Sequence, residues 1–255
     1  MGRPLDQQEL RRRAVEGVRD EVEAFGSAAA SSLLIRREGL LAAVVPASPQ
    51  RSLFNSVYYD DPAALAAEAE ALEEVYRSHG VRAWTVWVPE EDRESARLLA
   101  ARGHAMDAAP RAMAMELESF DLDPVRPDGI VPGPIDAATC ARLNDAAYGF
   151  GDEGFSAGLS GETAIRWHGA FAGGEAVSCV GAIEVGEDCC ITGVATPPAW
   201  RGKGIASWLL CQTLAGARES GLTSASLQAS RAGAPIYERL GFADHGSIEM
   251  WELRR

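Results

Sequence analysis

The sequence predicts an α/β (α+β) protein of two domains, each a mixed but mostly antiparallel sheet flanked by helices. Three observations lead there. Short runs of strand character alternate with stretches whose apolar residues recur at helical spacing. The mid-chain segment 123–134 holds four prolines and two glycines and breaks that pattern, which puts a boundary near Arg126 and divides the chain into residues 1–125 and 126–255. The order of elements after the boundary is echoed before it.

In the second half, residues 135–148 place Ala138, Leu143, Ala146 and Ala147 on one helical face behind Asp136, a residue suited to cap a helix N-terminus. A polar, glycine-rich stretch follows. Strand-like runs at 164–172, 176–185 and 189–196 are separated by the turn signals Gly173-Gly174 and Gly186-Glu187-Asp188, so they read as an antiparallel meander. Over 202–220, Ile205, Leu209, Leu210, Leu214 and Ala217 share one face of a helix that Gly221 ends. Next come a strand at 223–229, a short helix at 232–240, a turn at Gly241 and strands filling 242–253. The helix between the strands ending at Thr196 and beginning at Thr223 is a crossover, which allows that pair to be parallel.

The first half opens with a charged amphipathic helix over 5–25. Strand-like runs at 32–36, 40–45 and 53–59 precede a helix over 63–79 ended by Gly80, a strand at 83–88, and a helix over 93–102 ended by Gly103. Aligning Arg77-Ser-His-Gly80 with Arg218-Glu-Ser-Gly221 superposes helix on helix and strand on strand as far as Pro89. A weak internal repeat explains this; an unrelated α/β domain is the plainer alternative.

Composition narrows the function classes. The formal charge is -13, both halves are acidic, and nothing suggests a nucleic-acid partner. An acidic surface favours a cationic acceptor such as an amine, and it also serves solubility. The opening residues lack a signal-peptide core and no run approaches a membrane span, so a soluble, cytoplasmic protein without a membrane partner is expected. The five cysteines show no C-x-x-C spacing and read as buried free thiols, with Cys189 and Cys190 pointing to opposite faces of one strand. No metal site is expected, and a homodimer is possible.

The chemistry concentrates at Arg201-Gly202-Lys203-Gly204-Ile205-Ala206, between a strand and the start of a helix. Glycines let successive backbone N–H groups converge, and the helix N-terminus adds partial positive charge, which together suit a phosphate or pyrophosphate. Arg201 and Lys203, the one lysine of the chain, add full charges. The bland alternative is a helix start that merely contains glycine. A Walker loop is excluded because Gly204 follows Lys203 where Ser or Thr is required. A dinucleotide fingerprint fails as well, since Ser207 stands at its third glycine and no acid ends the next strand.

The loop resembles the cofactor motif Arg/Gln-x-x-Gly-x-Gly/Ala of the GNAT superfamily of acetyl-CoA-dependent N-acetyltransferases, matched by Arg201, Gly204 and Ala206. Downstream, Tyr237-Glu-Arg-Leu-Gly-Phe242 resembles a second segment of that family. The resemblance covers roughly residues 128–255 and implies acetyl-CoA as co-substrate. It implies that backbone groups of Val194, Ala195 and Thr196 meet the pantetheine arm, that Arg201, Gly202, Lys203, Gly204, Ile205 and Ala206 hold the pyrophosphate, and that Ser230, which opens the downstream segment, joins the cofactor contacts. Tyr237 is implied as the general acid that protonates the departing thiolate. The acceptor is a primary amine of a small molecule or protein; the alternative is a non-catalytic acyl-CoA-binding or interaction module.

A general base is not found. The strand before the loop reads Cys189-Cys190-Ile191-Thr192-Gly193, and Glu153, His168, Glu184, Glu187 and Asp188 are nearby only in sequence. In the first half Asp60-Asp61-Pro62-Ala63 occupies the place of the loop and Leu99 that of Tyr237, so that half is expected to be a degenerate GNAT-like domain that binds no cofactor. It would extend the sheet or wall an acceptor cleft.

Overall fold

A computed structural model describes residues 5–149 and 154–255. The first half runs α1 (Gln7–Gly26), β1 (Leu33–Arg37), β2 (Leu40–Val44), β3 (Ser56–Tyr59), α2 (Pro62–Ser78), β4 (Ala83–Pro89), α3 (Arg93–Ala101), β5 (Ala105–Ala108) and β6 (Arg111–Glu116). The second runs β7 (Ile130–Pro134), α4 (Ala137–Tyr148), α5 (Phe155–Gly158), β8 (Arg166–Ala172), β9 (Glu175–Val185), β10 (Asp188–Ala195), α6 (Ile205–Glu219), β11 (Ser224–Ala229), α7 (Ala234–Arg239) and β12 (Ala243–Arg254). In each half an antiparallel meander feeds a crossover helix into a parallel strand: β3 pairs β4 in parallel across α2, and β10 pairs β11 in parallel across α6.

Local chemistry sets the helix limits as the sequence suggested. Asp136 accepts the Thr139 N–H at 2.7 Å to start α4. The expected face of α6 is buried, with Ile205, Leu209, Leu210, Leu214 and Ala217 all in one apolar cluster. Its C-terminus closes through Gly221 at φ +91°, while the Leu222 N–H returns to the Ala217 carbonyl at 3.1 Å. All five cysteines are buried free thiols, and Cys189 and Cys190 fall in clusters on opposite faces of the sheet.

Three strands escaped the sequence reading. In β6, Ala112 and Ala114 face one side while Met113 and Met115 face the other; neither residue type carries the β-branching that marks a strand. β5 is short and largely exposed. β7 falls in the proline-rich stretch taken as a linker, but it is a terminal strand of the sheet, where Pro132 and Pro134 leave no central ladder bond unmade. The run expected at 53–59 begins as a turn, because the Asn55 side chain accepts the Val45 N–H and donates to the carbonyls of Ser48 and Arg51. The strands expected over 242–253 are the single strand β12.

The sheet is continuous, in the order β1-β2-β3-β4-β12-β6-β11-β10-β9-β8-β7, with β5 added on β12. Each half therefore completes the other. β6 lies antiparallel to β11 from Arg111↔Ala229 to Glu116↔Ser224, and β12 lies antiparallel to β4 from Ile248↔Pro89 to Arg254↔Ala83. The exchanged strands also meet each other, Ala243 opposite Ala114. Helices α2, α3, α6 and α7 cover one face of the sheet; α1, α4 and α5 cover the other.

Helix α1 spans the junction. Its Leu10, Ala14, Val18, Val22 and Phe25 are buried, and it packs on β2, β3, β6, β10, β11 and β12. Each large apolar side chain buried this way contributes roughly 1.5–3 kcal/mol. At Gly17 the helix comes so close that an added Cβ would stand 3.0 Å from Ser226 Oγ and 3.1 Å from Cys190 Sγ. Residues 126–255 produced alone would lose both β6 and α1, leaving the β11 edge and one face of β10–β11 bare. That fragment is expected to show no cooperative thermal transition by circular dichroism and to regain one when mixed with residues 1–125.

Candidate functional site

Strands β10 and β11 pair from Asp188↔Ser224 to Ile191↔Leu227, and beyond that point they part although both continue. Just there β10 carries a bulge, with Gly193 and Val194 set against the single residue Val180 of β9. Gly193 is required twice over: its φ is +57°, and a Cβ would lie 2.7 Å from the Trp167 ring. The Gly193 carbonyl accepts from Asn144 Nδ2 and Cys179 Sγ, and the Val194 carbonyl accepts the Tyr148 hydroxyl at 3.3 Å. Ser178 Oγ donates to the Ala195 carbonyl and lies 2.8 Å from Thr196 Oγ1.

The loop after β10 passes through a 3-10 turn, Pro198–Trp200, into α6. Gly202 and Gly204 have φ of +75° and +73°, and a Cβ at either would meet nothing, so backbone conformation rather than crowding calls for glycine. Gly204 precedes α6, no side chain caps it, and no acidic residue sits in the first turn. The N-terminal amides of this 15-residue helix thus face outward with their partial positive charge. The corresponding α2 differs. Asp61 caps it from within, Oδ1 accepting the Ala63 N–H at 2.9 Å.

The structure places the loop cations differently from each other. Arg201 Nε donates to the Thr196 carbonyl at 2.9 Å and its Nη2 donates to the Ala147 carbonyl, tying the loop to the end of α4. Lys203 Nζ sits 4.4 Å above the Trp200 ring on the exposed side of the loop. Ser230 uses its hydroxyl to accept the Gly233 N–H at 3.1 Å, shaping the turn into α7. Tyr237 packs its ring edge-on to Phe242 at 5.9 Å; burial pushes its phenol well above the usual range, and neighbouring Tyr148 adds to that. A phenol so placed holds its proton until a strong base takes it.

None of the described carboxylates near β10 in sequence reaches the parted strands. Glu184 pairs with Arg166, Glu187 with Arg13, and Asp188, at the far end of β10, accepts from Ser224 and Ser226. His168 lies on β8 opposite Pro134, and Glu153 is outside the described residues. The carboxylate that does reach the site comes from the other half. Glu21 of α1 is buried, and Thr192 Oγ1 donates to its Oε1. Burial raises its carboxyl to about 7, the Thr192 hydrogen bond pulling the other way. The signal was present in the sequence: Glu21 interrupts the apolar stripe Leu10, Ala14, Val18, Val22, Phe25, where a charge has no ordinary place.

Residues 164–244 match the family model described as an acetyltransferase (GNAT) domain. Over these residues the sequence matches a GNAT domain. The match contains β8 to α7, and hence the bulge, the glycine loop and Tyr237. Whole-chain similarity to solved structures extends the GNAT fold over both halves. A GCN5-related N-acetyltransferase from Kribbella flavida is 16% identical, with 94% of this chain and 95% of that one covered and a TM-score of 0.66. One from Sphaerobacter thermophilus is 21% identical over 85% and 78%, at 0.63. A tandem GNAT protein from the clavulanic acid biosynthesis pathway is 16% identical over 98% and 97%, at 0.61. No curated protein matches. Among the described residues no helix is long and apolar enough to cross a membrane, and no cluster of His, Cys, Asp and Glu could hold a metal ion.

The raised carboxyl of Glu21 has a measurable consequence for stability. An unfolded glutamate titrates near 4.5, so the folded protein holds a proton that the unfolded chain releases between pH 4.5 and 7. The stability this gives is complete below 4.5 and lost as the pH rises through 7, about 3 kcal/mol in all. Glu21→Gln is expected to match the parent near pH 4 and to exceed it by about 2–3 kcal/mol at pH 8 in urea melts.

Proposed function

We propose that this protein transfers an acetyl group from acetyl-CoA to a primary amine of a small molecule or protein in the cytoplasm. The observation that carries this is the open N-terminus of α6 on two left-handed glycines, set directly beside the gap where β10 and β11 part. In this reading the amides of Gly202 to Ala206 hold the pyrophosphate, with Lys203 screening its charge. Val194, Ala195 and Thr196 offer backbone groups to the pantetheine arm, as they lie past the last pairing of β10 with β11. The acetyl thioester then lies in the gap.

The chemistry needs three things: a neutral amine, stabilisation of the developing oxyanion, and a proton for the thiolate. Tyr237 supplies the last. Its raised phenol keeps the proton at neutral pH, and a thiolate leaving in an apolar slot is basic enough to accept it. As the amide forms, the nitrogen gives up a proton and restores the phenol. The first half keeps no such machinery, since α2 is capped by its own Asp61 and Leu99 stands where Tyr237 would.

CoA and acetyl-CoA are expected to raise the melting temperature by several degrees, because ligand at a hundred times its Kd adds about 2.7 kcal/mol. No shift at millimolar cofactor would remove both acetyl transfer and CoA binding. A panel of alkylamines then separates the two, since a binding module gives the shift without product. Tyr237→Phe is expected to slow transfer about 10²-fold while leaving the CoA shift unchanged; an unaltered rate takes Tyr237 out of the mechanism.

A further inference from the structure

We propose that Glu21, carried by α1 from the other half of the chain, is the proton acceptor for the incoming amine, working through the Thr192 hydroxyl at the point where β10 and β11 part. The inference rests on the acetyl-transfer reading above and names a residue for the step that reading leaves open.

Position is the first argument. Thr192 is the first residue of β10 past its last pairing with β11 and the last before the bulge. Along this strand Cys190 points to the face that α1 covers and Ile191 to the face that α6 covers, so Thr192, bonded to Glu21, points to the α1 face. The carboxylate and the open end of α6 therefore stand on opposite faces of one gap. A nucleophile must meet the acetyl carbonyl from the side that the CoA chain does not fill, and Glu21 is on that side.

Electrostatics is the second. The other buried carboxylate among the described residues, Glu249, pairs with Arg93, and half-buried Asp188 takes two serine hydroxyls. Among the described residues Glu21 has the Thr192 hydroxyl as its partner and no cation. Nearby on β10 is the Cys190 thiol, whose field Glu21 shares with Asp188 and with its helix neighbour Asp20. Burial without a counter-charge is a poor way to stabilise a fold and a good way to make a carboxylate basic. The carboxyl reaches about 7, closer to an ammonium near 10 than an exposed glutamate at 4.5 would be.

The step balances. An ammonium N–H bond breaks as Thr192 Oγ1 gains that proton, and the proton already on Oγ1 passes to Glu21. The neutral amine attacks the acetyl carbonyl, the C–S bond breaks, and the thiolate takes the Tyr237 proton. The proton the new amide nitrogen sheds restores the tyrosine, and Glu21 releases its own to solvent after turnover.

The test compares two acceptors on the full-length chain: the best alkylamine of the panel, which is protonated at pH 7, and hydroxylamine, which is largely neutral there and needs no base. Glu21→Gln and Thr192→Val are each expected to lower kcat/KM for the alkylamine about 10²-fold, to abolish the rise in rate near pH 7, and to change the hydroxylamine rate by no more than a few-fold. The CoA thermal shift should match the parent, and Glu21→Asp should recover part of the loss. Equal losses with both acceptors, or a rise near pH 7 that survives Glu21→Gln, would overturn the proposal. A parent that binds CoA yet acetylates neither acceptor refutes acetyl transfer itself, and this inference with it.

Discussion

The reciprocal pairing of β6 with β11 and of β12 with β4 is the constraint on which the rest of this molecule depends. It converts two short sheets, each with a raw edge, into one surface with both centres protected. It also fixes the distance between the halves, because backbone ladders tolerate no slip without turning every side chain to the wrong face. Helix α1 can then lie across the seam and bury an apolar stripe against strands from both halves. The alternation of Ala112, Met113, Ala114 and Met115 answers to that geometry: small residues where α1 comes close, long flexible ones toward α6.

The site inherits its division of labour from the same seam. Everything proposed to meet the cofactor belongs to the second half, in the glycine loop, the β10 bulge and α7. The buried carboxylate belongs to the first. The first half is therefore more than an inert wall. Its crossover helix is capped by an aspartate where that of the second half starts on open glycines, yet its leading helix reaches the gap through Glu21 and Thr192. Arg201 adds a tie within the second half, joining the end of β10 to the end of α4 through two carbonyls.

Much of this was legible in the sequence where the determining contacts are local. The face of α6, its glycine stop, the meander of β8 to β10 and the loop itself follow from spacing and turn chemistry. The exchanged strands were not legible, because pairing of β6 with β11 is a fact about distant segments and Ala-Met alternation carries no strand signature of its own. Proline in β7 pointed to a linker because an edge position cannot be told from sequence. Glu184, Glu187 and Asp188, the described carboxylates next to β10 in sequence, are committed to partners elsewhere. Glu21 was visible as an interruption in an apolar stripe, but the strand it would meet depends on the seam.

The crossed strands also shape how the chain reaches its folded state. During synthesis β4 emerges early, yet its partner β12 is made after every other strand described, and the β6 ladder waits for β11. Contacts so far apart in the chain slow folding, since loop closure must precede any reward from pairing. Until then the nascent first half leaves the backbone edge of β4 unsatisfied, and such an edge invites association with other chains. The half made first is the last to be finished.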